Sequence, residues 1–317
     1  MKCLVIQPIH ETGIALLRNS GIEPVLCPAR DMATVARHIR DCDAVITRDA
    51  GLNAEAFAAG DRLRVVVVHG TGHDPVDKTA AALAGVVIAN TPGTNSRSVA
   101  ELALGLSISV ARRIAAADRV VRSGRTGFRE SASFTELSGK TAFIVGWGAI
   151  GGQFGDMLHT ALGMRVLVYS PRAPHTGSHT RVATLAEGLA QADLVSLHTP
   201  LRDETRNLMD ASAFATLKRG AILINVARAG LVDEGALLAS IKDGRLAGAG
   251  LDVYSHEAPS GPLAAFDNVV FTPHLGGTTE DALRRTAEAA AAHVVTALSG
   301  RMPETTLNPE AWRGASV

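Results

Sequence analysis

Two groups of residues in this 317-residue chain have the types and spacing that chemistry needs. The first is Gly146-Trp147-Gly148-Ala149-Ile150-Gly151, a G-x-G-x-x-G between the apolar run TAFIV and the helix-like segment IGGQFGDMLHTALG. In that setting the first glycine permits a tight turn, the second lets backbone approach a pyrophosphate, and the third allows close helix–strand packing. The helix N-terminus then offers N–H groups and the positive end of its dipole. A tight turn without a ligand has the same composition, so the motif draws its weight from its place at the head of a strand–helix series. The second group is Arg228, Glu257 and His274, within NVARAGLVDE (225–234), LDVYSHEAP (251–259) and FTPHLGGTT (271–279). Each lies just past a strand-like run. Ligands of open α/β sheets bind beyond the carboxyl ends of strands, so the three can converge on one crevice.

The strand after the glycine loop bears on the cofactor. A site for NAD places an acid at its end, about 20 residues past the glycines, to bond the ribose 2′-OH. Here the strand ends at Ser170, nineteen residues after Gly151, followed by Pro171 and Arg172. A small hydroxyl leaves room for a 2′-phosphate, and a guanidinium can grip one with two hydrogen bonds. This favours NADP(H) over NAD(H). The alternative is a solvated Arg172 in a site that accepts either.

These residues need a scaffold that aligns strand ends. Strand-like runs occur at 3–6, 24–27, 44–47, 64–68 and 85–90, and again at 141–146, 165–170, 193–198, 221–226, 247–253 and 269–272. Apolar residues on consecutive positions suit strands buried on both faces, as in parallel sheets covered by helices. A long helix is expected over 98–123, stopped by Gly124, then a polar connection, and a last Ala-rich helix over 280–298. Two strand–helix series in succession predict a two-domain α/β protein.

Composition excludes several classes. Thirty-one acidic residues balance thirty-one basic ones, so no overall field draws nucleic acid or an anionic membrane. Cys3, Cys27 and Cys42 have no C-x-x-C spacing, which indicates neither a disulfide framework nor a metal site. Cys3 and Cys27 fall in apolar runs and read as small core residues. The start MKCLVIQPIHETG reads as no signal peptide, and no run approaches the ~20 apolar residues of a membrane span. A soluble, cytoplasmic protein is the expectation.

With HGTGHDPVD (69–77), NTPGTNSRSVAE (90–101), ELSGKT (136–141) and HTPLRDET (198–205) added, the chain resembles the D-isomer-specific 2-hydroxyacid dehydrogenases over nearly its whole length. That family includes phosphoglycerate, glyoxylate/hydroxypyruvate and D-lactate dehydrogenases. The resemblance implies two Rossmann-like/flavodoxin-like domains with parallel sheets. A substrate domain (1–98 and 285–317) would be split around a coenzyme domain (99–284), in a homodimer whose contacts include the long helix. It implies hydride transfer between NAD(P)H and a small 2-oxo/2-hydroxy acid, with Arg228, Glu257 and His274 as the catalytic set. It further implies that Gly70, Thr71 and Gly72 bind the substrate carboxylate and that Ala149 and Ile150 cover the pyrophosphate. Asp252 would meet the nicotinamide carboxamide, and Thr199, Pro200, Val226, Ala227 and Gly276 would line the cofactor crevice. His69, His73 and Arg97 flank the substrate loops and are candidates for holding a second anionic group. Two departures stand out: Ala229 where the family commonly has Gly, and Ala258 between Glu257 and Pro259. A nucleotide-sensing protein that has lost catalysis is the alternative outside enzymes. D-3-phosphoglycerate dehydrogenase is the narrower one within them, placed second on the expectation that no regulatory domain follows residue 317.

Overall fold

The computed structural model describes residues Met1–Trp312. The chain divides into two compact units, Met1–Asn95 with the segment from Gly277 onward, and Ser96–Gly276. In the first, β1 (Lys2–Val5), α1 (Glu11–Asn19), β2 (Glu23–Leu26), α2 (Met32–His38), β3 (Ala44–Thr47), α3 (Ala54–Ala59), β4 (Val65–Val68), α4 (Lys78–Ala84) and β5 (Val87–Asn90) alternate strictly. The strands form one parallel sheet in the order β2-β1-β3-β4-β5. The sequence writes the helix starts directly. Asp31, Asn53 and Asp77 accept the N–H of Thr34, Ala56 and Ala80 at 2.9–3.0 Å, satisfying donors that a helix cannot pair internally. Burial on both faces holds for β3, β4 and β5, but β2 is an edge strand and exposes Leu26. Cys27, just past it, is therefore half-buried rather than a core residue, while burial pushes the Cys3 and Cys42 thiols up and keeps them protonated.

The second unit holds α5 (Ser96–Ala111), α6 (Ile114–Arg122), α7 (Phe128–Ser131), β6 (Thr141–Val145), α8 (Ala149–Leu162), β7 (Arg165–Tyr169), β8 (Thr180–Arg181), α9 (Leu185–Leu189), β9 (Leu194–Leu197), α10 (Ala211–Thr216), β10 (Ala221–Asn225), α11 (Glu234–Lys242), β11 (Leu246–Leu251) and β12 (Val269–Phe271). Its seven strands are parallel, in the order β12-β11-β10-β9-β6-β7-β8. The helix expected over 98–123 is two helices. Arg113 takes a left-handed conformation (φ 50°), its guanidinium donates to the Ser133 carbonyl at 3.2 Å, and the redirected chain buries Ala116 and Val120. The two-residue β8 carries no run long enough to announce it in the sequence.

The last helix, α12 (Glu280–Leu298), belongs to the first unit and packs on α1, β3 and β4. Breaks at 98/99 and 284/285 would cut α5 and α12. The observed division spares both, because a hydrogen-bonded helix stays with one core. Residues 313–317, expected in the substrate domain, lie outside the described residues. The α1–α12 approach depends on Gly13, where a Cβ would lie 2.7 Å from the Ala287 carbonyl oxygen and 2.9 Å from its Cβ. No helix among the described residues is long and apolar enough to cross a membrane.

One imidazole is packed into the second unit at the end of β9. The His198 ring lies 5.4 Å from that of Phe154, and Nε2 bonds Ser196 Oγ at 2.8 Å, leaving Nδ1 buried without a partner. Burial pulls this histidine down to about 3. Unfolded, it would titrate near ~6.5, so between those values only the unfolded chain takes up the proton. Its contribution to stability is complete above pH 6.5 and is lost as pH falls toward 3.

Two measurements follow from this packing. Gly13→Ala should lower unfolding stability by about 1–3 kcal/mol in denaturant titration, since backbone on α12 must shift; an unchanged midpoint would show that the two helices part freely. His198→Gln should flatten the loss of stability between pH 6 and 4.5 by about 1.4 kcal/mol per pH unit. Parallel pH curves for variant and parent would mean that this ring is not held neutral.

Candidate functional site

In the seven-stranded sheet, connections from β6 run one way through β7 to β8, and from β9 the other way to β12. The order reverses between β6 and β9, the point where open parallel sheets leave a crevice at their carboxyl edge. The glycine loop occupies it. Gly146 has φ 98°, and a Cβ there would stand 2.6 Å from the His198 carbonyl oxygen. A Cβ on Gly151 would strike the Gly146 carbonyl. Gly148 differs, with extended backbone and no protein atom within 4 Å of a Cβ placed on it. Two of the three glycines thus serve the protein's own packing, while the second borders open space. Behind it, α8 starts with no side-chain cap, whereas Thr184, Asp210 and Asp233 cap α9, α10 and α11. Unsatisfied N–H groups beside open space, at the positive end of a 14-residue helix, fit a pyrophosphate.

A cavity of about 560 Å³ opens from this loop. Among the residues expected at a cofactor, Gly146, Gly148, Ser170, Arg172, Thr199 and Pro200 line it, and Ala149, Ile150 and Gly151 form the adjoining first turn of α8. Val226, Ala227, Asp252 and Gly276 are not in its wall; they follow β10, β11 and β12 farther along the same edge. Sequence reasoning missed Arg202, Glu204 and Thr205, which line the cavity from the turn after β9. The available signal was an arginine five residues past the end of the strand next to the switch point.

Arg228 and His274 each lie three residues beyond a strand, β10 and β12 respectively, with β11 between them. Asn225, fully buried, shapes the first loop: its Nδ2 donates to the Arg228 carbonyl at 2.8 Å, and its Oδ1 accepts the Ala227 N–H at 3.1 Å. The half-buried Arg228 donates from Nη1 to the Ala227 carbonyl at 2.7 Å. Ala229 does not have positive φ, so replacing the family's glycine costs nothing there.

His274 does have positive φ, 56°, a conformation that costs an L-residue about 1–2 kcal/mol. Asp252 holds it. Buried at the end of β11, its carboxylate accepts Thr272 Oγ1 at 2.6 Å and the N–H groups of Leu275 and Gly276 at 2.7 and 2.9 Å, while its carbonyl accepts the His274 N–H at 3.1 Å. Ser98 of α5 fastens the far side by donating to the Gly276 carbonyl at 2.6 Å. Asp252 is thus chiefly the brace of the histidine loop. Glu257 is not brought onto His274: its carboxylate is exposed, and no hydrogen bond or ion pair joins the two among the described residues. The physical cause lies in 255–260. Ser255 is bound to Glu234 of α11 at 2.6 and 2.7 Å and Ala258 is buried, which turns Glu257 outward.

The remaining candidates are loop residues of the first unit and Arg97 of α5. In the first unit Gly70 (φ 144°) follows β4, and its N–H donates to Thr91 Oγ1 at 2.8 Å and is therefore committed within the loop. The Asn90 side chain donates to the Thr71 carbonyl at 2.8 Å, and the N–H groups of Thr71 and Gly72 meet no protein acceptor among the described residues. His69 is buried, and burial, aided by the Arg48 charge, pulls it down to about 4. It is therefore neutral at physiological pH in this structure and brings no standing positive charge to the loop. His73 follows in the same loop. Arg97 lies on α5 in the second unit, exposed and paired with Glu101 at 2.6 Å. Among the described residues no three His, Cys, Asp or Glu side chains are grouped as a metal ion would need.

Comparison with known proteins gives this geometry a lineage. Residues 104–276 match the model of the D-isomer specific 2-hydroxyacid dehydrogenase, NAD binding domain. D-3-phosphoglycerate dehydrogenase of Archaeoglobus fulgidus is 37% identical over 290 residues, which is 89% of this chain and 54% of that protein. The chain thus spans about half the length of that relative. Hydroxypyruvate reductase of Thermotoga maritima is 34% identical over 286 residues, covering 89% of this chain and 93% of that one. The NADPH-dependent glyoxylate/hydroxypyruvate reductase of Sinorhizobium meliloti, solved with NADP and malonate, superposes with a TM-score of 0.86 at 27% identity, over 100% of this chain and 99% of that one. With a matching domain model over more than half its length and relatives above 30% identity over most of it, the chain belongs to the D-isomer specific 2-hydroxyacid dehydrogenase family.

Proposed function

We propose that the protein is an oxidoreductase that moves a hydride between NADP(H) and a small 2-oxo/2-hydroxy acid, of glyoxylate or hydroxypyruvate size. The observation that carries this reading is the open, uncapped helix start at Gly148 on the same sheet edge as Arg228 and the braced His274. Bound there, the nicotinamide supplies or accepts the hydride. Arg228 holds the substrate carboxylate with paired N–H groups and polarises the 2-oxo oxygen. His274 gives its proton to that oxygen during reduction and takes it back in oxidation. The two positive groups together stabilise the negative charge that develops on the oxygen. Glu257 is kept in this reading as the carboxylate partner of the imidazole, although in this conformation it faces solvent. The second unit is read as the coenzyme domain and the first as the substrate domain, in which the Thr71 and Gly72 N–H groups are the candidates for a substrate carboxylate.

Several observations support the finer points. Ser170 and Arg172 line the cavity where an acid would select NAD, and the similar Sinorhizobium enzyme is named as NADPH-dependent. A neutral His69 and an Arg97 engaged by Glu101 leave little positive charge for a phosphorylated substrate, which favours the unphosphorylated acids over D-3-phosphoglycerate. The relatives above are named as enzymes, which favours catalysis over a sensing role. Exposed Ile114 and Val121 on α6, with Phe134 beyond, offer apolar surface for the homodimer. Three free cysteines, two of them buried, suit a reducing cytoplasm.

Fluorescence titration should show NADPH binding at least several-fold more tightly than NADH, with oxidation on adding glyoxylate or hydroxypyruvate; tighter NADH binding would reverse the cofactor assignment. His274→Ala should lower kcat by about 10²–10⁴-fold with NADPH affinity nearly unchanged. Retained turnover would remove His274 from the proton path.

A further inference from the structure

The first variable residue of the glycine loop, Trp147, does something that pyrophosphate binding does not require. Its indole lies against α8 over Gly152 and Gly155. A Cβ on Gly155 would stand 2.6 Å from Trp147 Cζ3, and one on Gly152 would be 3.7 Å from Cε2. Glycines weaken a helix interior. Gly151 is explained by its approach to Gly146, but Gly152 and Gly155 form a groove whose occupant is this ring. From the other side comes His179, the last residue of the 170–179 loop. Its ring meets the indole edge-on, with centroids 5.2 Å apart and planes at 67°. Its Nε2 bonds Asp156 Oδ1 of α8 at 2.8 Å, and the His159 ring packs on it at 5.4 Å. The His179 side chain is only 5% exposed, although most of its loop is on the surface.

That loop begins with Ser170 and Arg172 in the cavity wall and ends at His179, just before β8. Between them it has only short-range turns, Ala173 N–H to Ser170 carbonyl and a Thr176–His179 pair, with Arg181 reaching back to the Ala173 carbonyl. An exposed ten-residue loop of this kind would hold an arginine loosely. We infer that Trp147, His179 and Asp156 form a clasp that fastens the 170–179 loop to α8 and so sets Arg172 for the 2′-phosphate. This makes His179 a positioning residue for cofactor selection. The inference rests on the reading of Ser170 and Arg172 as the 2′-phosphate wall. The clasp holds the loop before the ligand arrives, so ordering it adds no cost on binding. NADH, lacking the 2′-phosphate, gains little from it.

The test is calorimetric binding of NADPH, NADH and 2′,5′-ADP to the parent and to His179→Ala, Gly155→Ala and Arg172→Ala. Gly155→Ala displaces the indole without touching the loop, and alanine favours the helix, so it guards against a variant that merely fails to fold. Both clasp variants should weaken NADPH and 2′,5′-ADP by roughly tenfold and NADH by less than about twofold. In turnover, KM for NADPH should rise while kcat holds. Equal weakening of NADPH and NADH would mean a general structural role and overturn the clasp, as would unchanged affinities. If Arg172→Ala loses NADPH affinity and His179→Ala does not, the clasp alone fails. If Arg172→Ala leaves the NADPH-to-NADH ratio unchanged, the 2′-phosphate reading fails and takes the clasp with it.

Discussion

A parallel sheet has one carboxyl edge, and everything chemical in the second unit depends on that constraint. Strands such as β6, β9 and β10 are buried along their whole length, so helices must cover both faces and every connection must cross over. Each strand then enters from the same side and delivers its following loop to the same edge. The glycine loop after β6, Ser170 after β7, Thr199 after β9, Arg228 after β10 and His274 after β12 are up to 128 residues apart in the chain, yet they share that edge. Reversal of strand order beside β6 opens the gap that the cavity occupies.

Holding those loops in position is left to a few buried polar side chains. Asn225 and Asp252 lie at corresponding places, at and just past the ends of neighbouring strands, and each turns the backbone that follows it. Both are almost wholly buried, so their hydrogen bonds compete with no water, and leaving them unmade would cost the full desolvation of the group. Asp252 spends its carboxylate on the loop that keeps His274 in a left-handed backbone conformation. Local strain at a single residue is tolerable when surrounding bonds over-determine it. Glu257 shows the reverse case, since bonds to Glu234 and burial of Ala258 direct its carboxylate into solvent.

The glycine loop divides its work in a way that composition conceals. Gly146 and Gly151 answer to β9 and to each other, Gly148 to open space, and Gly152 and Gly155 to an indole. Five glycines in ten residues look alike in a string of letters, yet their surroundings differ from one to the next.

Local patterns determined much of this protein in advance. Consecutive apolar residues located eleven strands to within a residue or two, and Asp, Asn and Thr caps marked helix starts, because strand burial and capping act over a few residues. The order of Gly146, Arg228 and His274 relative to those strands was likewise legible, since a residue's place after a strand is a property of the chain. Tertiary structure alone decided the rest. The break at Arg113, the exposed edge at β2 and the outward turn of Glu257 depend on partners far away in sequence. So does the neutrality of His69 and His198, because desolvation is a property of surroundings and no pattern of neighbours along the chain records it.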